Sequence, residues 1–222
     1  MPTHPESTCR FLPSTHADLA QFRMPIPPAP RAVTEPPRRL FVAVPLDGTT
    51  RQAIERHLAR LGPLPGRLVP PANWHVTLRF LGDVDARGEA ALGRALDAAA
   101  WPAAFGMTFG RLGAFPTAAR ARVLWLGVDE GAAALARLAI LADRAAASAD
   151  LGSDGRFAAH LTLSRLRPGT PGDVRRLVDA APAARIATTV SEVVLYESEL
   201  GGGPARYAVR HRVVLATAER PG

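Results

Sequence analysis

Lysine is absent from this sequence of 222 residues, and all 27 of its basic residues are arginine. A P-loop lysine, a Schiff-base lysine and a lysine nucleophile are therefore excluded. A bound phosphate must instead be contacted by arginine, histidine, hydroxyl groups or backbone N–H groups. The arginine excess gives a net charge of +7. That charge fits the codon bias of a GC-rich genome, and it also fits a positive field that attracts polyanions.

Cysteine and long apolar runs are also scarce. Cys9 is the one cysteine, which excludes a disulfide framework and a multi-cysteine zinc site. No stretch reaches the roughly 20 apolar residues of a membrane-spanning helix, and no secretory signal is visible. We therefore expect no membrane association and a cytoplasmic location. We also expect a monomer. The hydrophobic fraction of 47% and mean hydropathy of +0.03 are typical of a globular protein.

The N-terminal residues differ in composition from the remainder. Residues 1–37 contain 9 of the 21 prolines and little apolar periodicity, which predicts a flexible leader. Residues 38–222 are then expected to form a single bilobal domain. Cys9 and two histidines lie in the leader, and we assign them no function.

From residue 38 onward, one order of elements occurs twice. Each occurrence, which we call a pass, consists of a strand, a helix, a strand that contains His-x-Thr-Leu, a second helix and a final strand. The predicted elements of the first pass are a strand at 40–47, a helix that begins at Thr49 or Thr50, a strand at 74–82, a helix at 85–100 and a strand at 107–112. Those of the second pass are a strand at 122–129, a helix at 131–149, a strand at 157–165, a helix at 173–180 and a strand at 186–195. This repeat predicts two similar lobes.

The two His-x-Thr-Leu motifs carry the candidate chemistry. Side chains alternate along a strand, so His75 and Thr77 face one side, and His160 and Thr162 repeat this arrangement. Lobes packed about a pseudo-twofold axis would bring all four side chains into one cleft. One imidazole can then take a proton from an attacking water while the other protonates the leaving oxygen, as in-line displacement at a phosphodiester requires. Zinc is the competing interpretation, but no cysteine lies near either histidine.

The motifs and their surroundings resemble the 2H phosphoesterase superfamily. The resemblance is strongest to its RNA 2′,3′-cyclic phosphodiesterase branch, also described as 2′-5′ RNA ligases, and it covers residues 38–215. The segments that carry it are RLFVAV at 39–44, PANWHVTLRFLGDV at 71–84, RVLWLGV at 122–128, HLTLSR at 160–165 and YESEL at 196–200.

The resemblance implies an α+β, LigT-like fold in which two antiparallel sheets flanked by helices surround a central cleft. It also implies hydrolysis of RNA 2′,3′-cyclic phosphate ends to 2′-phosphates, with no metal and no organic cofactor. By that resemblance His75 would be the proton donor to O3′ and His160 the proton acceptor that activates water. Thr77 and Thr162 would hold phosphate oxygens.

Three further residues are candidate substrate contacts. Phe80 falls where the family places a base-stacking aromatic, and core packing is its alternative role. Arg165 falls where the family places a phosphate-facing arginine. Both have the opposite strand parity to their histidines, so each needs a strand end or a bulge to reach the cleft. Arg79 has cleft-facing parity and is either a second phosphate contact or an exposed edge residue.

Several alternatives stay open at this point. The substrate could be a small cyclic nucleotide or an ADP-ribose cyclic phosphate, or the reaction could be reversed into 2′-5′ ligation. A non-catalytic nucleotide- or RNA-binding module is the alternative of a different class, and two complete motifs argue against it. Trp125 is expected to pack rather than stack a base, and His57 is expected on the exposed side of its helix.

Overall fold

The computed structural model describes residues 35–167, 172–199, 201 and 205–217. Residues 1–34 lie outside these ranges, so the predicted leader at 1–37 remains a prediction. The helices are α1 (Gly48–Leu61), α2 (Ala86–Ala98), α3 (Ala132–Ser148) and α4 (Arg175–Ala180). The strands are β1 (Arg38–Pro45), β2 (Arg67–Leu68), β3 (His75–Val84), β4 (Phe105–Phe115), β5 (Val123–Glu130), β6 (His160–Arg165), β7 (Ile186–Val190), β8 (Glu192–Glu199) and β9 (Arg206–Val214).

The first helix begins earlier than the sequence suggested. Asp47 caps α1, because its carboxylate accepts a hydrogen bond of 2.7 Å from the backbone N–H of Thr50. The expectation that His57 faces solvent is wrong, since this side chain is only 2% exposed. Burial lowers its pKa, with a smaller contribution from Arg60. No helix within the described ranges is both long and apolar enough to cross a membrane.

The strands of the described residues join into one antiparallel sheet. Eight of them follow the order β7-β4-β5-β6-β3-β1-β8-β9, and β2 pairs with the edge of β6. The two central strands, β3 and β6, are joined at a single register position, Val76 opposite Leu161. Leaving aside the short β2, the sheet therefore has two halves of four strands each, which meet at this seam. The predicted bilobal α+β arrangement is present, but its two antiparallel sheets are joined into one.

The two passes of the sequence do not coincide with the two halves of the sheet. β4 ends the first pass but pairs with β5 and β7 in the second half. The predicted strand at 186–195 is in fact two strands separated by Ser191: β7 stays in the second half, while β8 pairs with β1 in the first. Each half thus contains strands from both passes, and neither half is continuous in sequence.

The hydrophobic core lies on one face of the sheet. Val76 and Leu161 at the seam pack in the same cluster as Ile54 of α1, Leu92 of α2 and Leu135 of α3. His75 and His160 precede these two seam residues and therefore point to the opposite face. The helices cover one side of the sheet and leave the histidine side open.

Candidate active site

The seam between β3 and β6 assembles the motif residues. Because the strands are antiparallel with Val76 opposite Leu161, continuing the register places His75 opposite Thr162 and Thr77 opposite His160. The arrangement is symmetric about the seam. All four side chains line one cleft with a volume of about 520 Å³, so the structure brings together the residues that the repeat predicted.

Both histidines are oriented in the same way. The Nδ1–H of His75 donates to the backbone carbonyl of Asn73 at 2.8 Å, and that of His160 donates to the carbonyl of Ala158 at 2.7 Å. In each case the acceptor lies two residues before the histidine. This bond fixes the tautomer, so Nε2 of each neutral ring carries the lone pair that is free to exchange a proton.

The electrostatics of the cleft favour neutral imidazoles. Burial lowers the pKa of His75 to about 4, and the positive charges of Arg165 and His160 act in the same direction. Burial and Arg165 also lower the pKa of His160. The bonds to Asn73 and Ala158 oppose these shifts without cancelling them. An anion bound between the rings would reverse the balance, because a negative charge favours the protonated form.

Aromatic rings surround each histidine. Phe41 lies 4.8 Å from the ring of His75 and Tyr207 lies 5.3 Å from it, edge to face. On the other side of the seam, the ring of Phe115 stands at 90° to His160 with centroids 5.1 Å apart. These rings supply the burial that lowers the histidine pKa values.

Trp125 also belongs to this wall, as the expected packing role implies. Its ring lies 5.2 Å from Phe115 and 6.2 Å from His160. The indole occupies the space beside Gly113 on the neighbouring strand, where an added Cβ would come within 2.2 Å of the ring. Glycine at position 113 is therefore required for the indole to lie flat against the sheet and support His160.

Two bulges turn Phe80 and Arg165 into the cleft. On β3 the register against β1 shifts between Thr77 and Arg79, which inverts the parity of the residues that follow and brings Phe80 to the histidine face. The ring of Phe80 is 56% exposed and lies 5.9 Å from Phe41. On β6 the register against β5 shifts between Thr162 and Ser164, so Ser164 is buried and Arg165 lines the cleft.

The same bulge carries Arg79 away from the site, so the expectation that it faces the cleft is wrong. Its Nε forms an ion pair with Asp143 of α3 at 2.9 Å, and one of its terminal nitrogens lies 3.5 Å from Asp154. These contacts are on the helix-covered face of the sheet. The structure therefore does not bring Arg79 to the histidines.

Sequence reasoning missed several cleft residues. Asn73 ends a short 3-10 helix (Pro71–Asn73), accepts the bond from His75 and donates its side-chain amide to the carbonyl of Ala205 at 2.6 Å. That bond ties the segment before β3 to the segment before β9, next to the cleft residue Tyr207. The sequence carries no signal for the bond to His75, because a backbone carbonyl accepts it and the equivalent residue before His160 is an alanine.

Within the described ranges, no group of three or more histidine, cysteine, aspartate or glutamate side chains is arranged to hold a metal ion. The polar side chains that line the cleft include two imidazoles, two threonine hydroxyls and two arginines, Arg39 and Arg165, together with Asn73, Ser198 and Tyr207. Imidazoles placed on either side of a gap beside hydroxyl groups and a guanidinium can transfer protons at both ends of a phosphodiester. This fold and this site are those of a two-histidine phosphoesterase.

Comparison with known proteins agrees and makes the class specific. The sequence model of the LigT like Phosphoesterase family matches residues 43–125 and matches again at residues 126–205. The two matches divide the chain close to the boundary between its two passes. This chain belongs to the LigT-like phosphoesterase family.

Curated relatives and solved structures show the same similarity. The Escherichia coli K12 protein named RNA 2′,3′-cyclic phosphodiesterase is 34% identical over 182 residues, which is 81% of this chain and 97% of that protein. A Geobacillus stearothermophilus protein of the same name is 36% identical over 74% of this chain, but the match spans only about half (53%) of that relative's length. The crystal structure of E. coli LigT complexed with 3′-AMP superposes with a TM-score of 0.67 and 31% identity, over 81% of this chain and 98% of that one.

Proposed function

We propose that this protein hydrolyses RNA 2′,3′-cyclic phosphate ends to 2′-phosphates by two-histidine acid–base catalysis. The observation that carries the proposal is the convergence of His75, Thr77, His160 and Thr162 on one cleft across the β3–β6 seam. The relatives named RNA 2′,3′-cyclic phosphodiesterase support the choice of substrate.

His160 acts as the base in this proposal. Its lowered pKa keeps the ring neutral near pH 7, and the bond to the carbonyl of Ala158 leaves Nε2 free to accept a proton. A water on the His160 side loses that proton as its oxygen attacks phosphorus. The edge of Phe115 and the indole of Trp125 hold the ring in place.

His75 acts as the acid on the other side of the phosphorus. As the new P–O bond forms, the bond from phosphorus to O3′ breaks, and Nε2–H of His75 gives its proton to O3′. The products are a 3′-hydroxyl and a 2′-phosphate, and one water has been consumed. The next cycle begins when the proton on His160 has exchanged with solvent and His75 takes up a new proton on binding substrate.

The remaining cleft residues bind the substrate. The hydroxyl groups of Thr77 and Thr162 donate to non-bridging oxygens, and Arg165 balances the negative charge that develops on them. The exposed ring of Phe80, backed by Phe41, offers a surface on which the terminal base stacks.

The proposal extends to a monomer that acts in the cytoplasm. Every side chain that it uses comes from one chain, so a second copy is not needed to complete the cleft. The single cysteine, Cys9, gives the chain no disulfide framework of the kind that oxidising compartments favour.

The test is turnover of a defined substrate. Purified full-length protein is incubated with an oligoribonucleotide that ends in a 2′,3′-cyclic phosphate, with EDTA present, and the product is identified by its mass and by chromatography against 2′-phosphate and 3′-phosphate standards. We expect a 2′-phosphate at an undiminished rate. No turnover, or turnover abolished by EDTA, would overturn the mechanism. A 3′-phosphate product would mean that O2′ and not O3′ is the leaving oxygen.

Single variants assign the two roles. His75→Ala and His160→Ala should each lower kcat by at least about 100-fold, the contribution typical of a positioned acid or base. His211→Ala is the matched control: His211 lies on β9, bonded to Asp97 at 2.8 Å and outside the cleft. Circular dichroism and thermal unfolding check that each variant is folded. A His160→Ala protein that keeps its activity would contradict the base role.

A further inference from the structure

A second basic pocket opens beside the catalytic cleft. Four arginines surround a concave surface of about 800 Å³, which we call the arginine pocket, and none of the described residues that line it is acidic. The arginines are Arg67, Arg122, Arg165 and Arg167. Within the described ranges, none of the four has a carboxylate at salt-bridge distance, unlike Arg38, Arg175 and Arg210. Other surface arginines of these ranges are unpaired too, and these four differ from them because they converge on one concave surface.

The arrangement of these charges is unfavourable without a ligand. Arg67 on β2 lies directly opposite Arg165 on β6 in the strand register. Like charges in facing positions of an antiparallel pair repel each other. An anion between the two guanidinium groups would turn this repulsion into attraction, because arginine forms paired hydrogen bonds with phosphate oxygens.

The backbone under the pocket is held rigidly. Gly66 has φ of +85° and approaches β6 so closely that an added Cβ would lie 2.6 Å from the carbonyl oxygen of Arg165. The buried hydroxyl of Ser164 donates to the carbonyl of Pro65 at 2.7 Å. The backbone N–H of Leu166 donates to the carbonyl of Arg122 at 2.9 Å. These bonds fix the strands that present the arginines.

The arginine pocket is continuous with the cleft. Arg165 and Val123 line both. In the cleft, Arg165 is close enough to lower the pKa of both motif histidines. A ligand whose reactive phosphate lies between His75 and His160 would therefore reach the arginine pocket on the side of Arg165.

We propose that the arginine pocket binds the phosphodiester backbone of the RNA on the 5′ side of the reacting end. This inference rests on the proposed function and deepens it. A cyclic phosphate occupies the 3′ end of an RNA, so the rest of the chain can leave the cleft only on the 5′ side of the terminal nucleotide. The preferred substrate is then an oligonucleotide rather than a single cyclic nucleotide.

The test compares substrates of two lengths. kcat and KM are measured between 50 and 200 mM salt for a pentaribonucleotide ending in a 2′,3′-cyclic phosphate and for a nucleoside 2′,3′-cyclic phosphate. The variant is the combination Arg67→Ala, Arg122→Ala and Arg167→Ala, with Arg165 left in place. Each phosphate contact to a single strand contributes about 0.7 to the slope of log affinity against log salt. Loss of three contacts should therefore lower that slope by about 2 for the pentanucleotide.

The expected result is a loss of substrate preference. The ratio of kcat/KM for the pentanucleotide to that for the nucleoside should fall at least tenfold at 50 mM salt, through KM and not through kcat. The corresponding Arg→Lys combination should restore most of the salt slope, because lysine supplies the charge. Arg137→Ala is the matched control, since Arg137 is an exposed arginine on α3, on the helix-covered face. Arg122→Ala alone serves if the combination does not fold.

Each outcome decides one of the two proposals. If the wild-type protein turns over both substrates and the variant keeps the preference and the salt slope, the arginine pocket has no role and the proposed function stands. If the wild-type protein turns over neither substrate, the proposed function fails. The pocket is then judged by fluorescence anisotropy with a labelled pentanucleotide ending in a 3′-phosphate. Equal affinity of the wild-type and variant proteins for that probe would overturn the inference, and weaker binding by the variant would support it.

Discussion

Proton uptake on ligand binding is the sharpest consequence of the site's electrostatics. Burial holds the pKa of His75 at about 4 in the free protein, against 6.5 for an ordinary histidine. At about 1.4 kcal/mol per pKa unit, protonating this ring costs on the order of 3 kcal/mol more than protonating an exposed one. At pH 7 on the order of one molecule in a thousand would carry the proton. The general acid must therefore receive its proton when substrate binds.

A bound phosphodiester supplies the missing charge. An opposite charge within about 4–6 Å typically moves a pKa by 1–3 units toward the charged form, so His75 in the complex should titrate at about 5–7. The complex then holds more protons than its separate components between pH 4 and the new pKa. Binding should take up protons there, and affinity should rise as the pH falls through this window, by up to tenfold per pH unit.

The assay uses a protein that binds without turnover. His160→Ala is titrated with a nucleoside 2′,3′-cyclic phosphate, whose phosphodiester does not itself titrate near neutral pH. Calorimetry at pH 5.5 in buffers of different ionisation enthalpy gives the number of protons taken up. NMR of the His75 Cε1–H signal gives its pKa in the free and bound states. We expect a fraction of one proton at pH 5.5, and none when His75→Asn is added.

Three results would refute this reasoning. A pKa of His75 at or above 6.5 in the free protein would mean that the aromatic wall does not desolvate the ring. Binding without proton uptake would mean that the phosphate does not approach Nε2. Proton uptake that persists in the variant with His75→Asn would assign the effect to another group.

Two further predictions concern residues that flank the site. Arg79→Ala should lower the free energy of unfolding by about 1–3 kcal/mol, between the values for exposed and buried ion pairs, while KM for the pentanucleotide stays within twofold. Denaturant unfolding and steady-state kinetics measure the two effects, and a large rise in KM with unchanged stability would place Arg79 at the substrate after all. Gly113→Ala should displace the indole of Trp125, because the new Cβ would overlap the ring. We expect the free energy of unfolding to fall by about 1–3 kcal/mol and kcat to fall as well, and indole fluorescence measures the displacement of the ring. An unchanged kcat with a shifted fluorescence spectrum would show that Trp125 does not support His160.

The motif residues could be predicted from sequence because two independent periodicities coincide. Strand alternation gives His75 and Thr77 a common face, and the repeat gives the same face to His160 and Thr162. Neither inference depends on the details of packing. The seam at Val76 and Leu161 then brings the two faces together.

The failures have a shared physical cause. Strand parity predicts the orientation of a side chain only while the register is regular, and bulges beyond Thr77 and Thr162 break that regularity. Phe80 and Arg165 reach the cleft because of those bulges, and Arg79 leaves it for the same reason. Nothing in the local sequence marks where an extra residue is accommodated in a ladder, because that depends on the neighbouring strand.

The pairing partners of the strands could not be predicted from the sequence either. A hydrophobic strand pattern shows that β4 and β8 are strands but does not encode which strand each will join. Tyr207 was missed for this reason, because it lies on β9 and reaches the cleft only through the pairing of β9 with β8. The side-chain bond of Asn73 to Ala205 depends on the same pairing. The sequence order suggested two consecutive lobes, whereas the chain builds each half from both passes.

The exchange of β4 and β8 between the halves has a consequence for synthesis of the protein. β1 can pair with β8, its neighbour on the side away from the seam, only after β8 has been synthesised. In the same way, β4 can pair with β7 only after β7 has been synthesised. Such distant pairings are slow to form, and their unpaired edges are open to aggregation until the partner arrives. A chain that leaves the ribosome N-terminus first cannot complete either half before its last third appears. A truncated chain that ends before β8 would contain both histidine motifs and still lack the β8 and β9 side of the cleft. Catalytic activity would therefore distinguish such a truncated chain from one that contains β8 and β9.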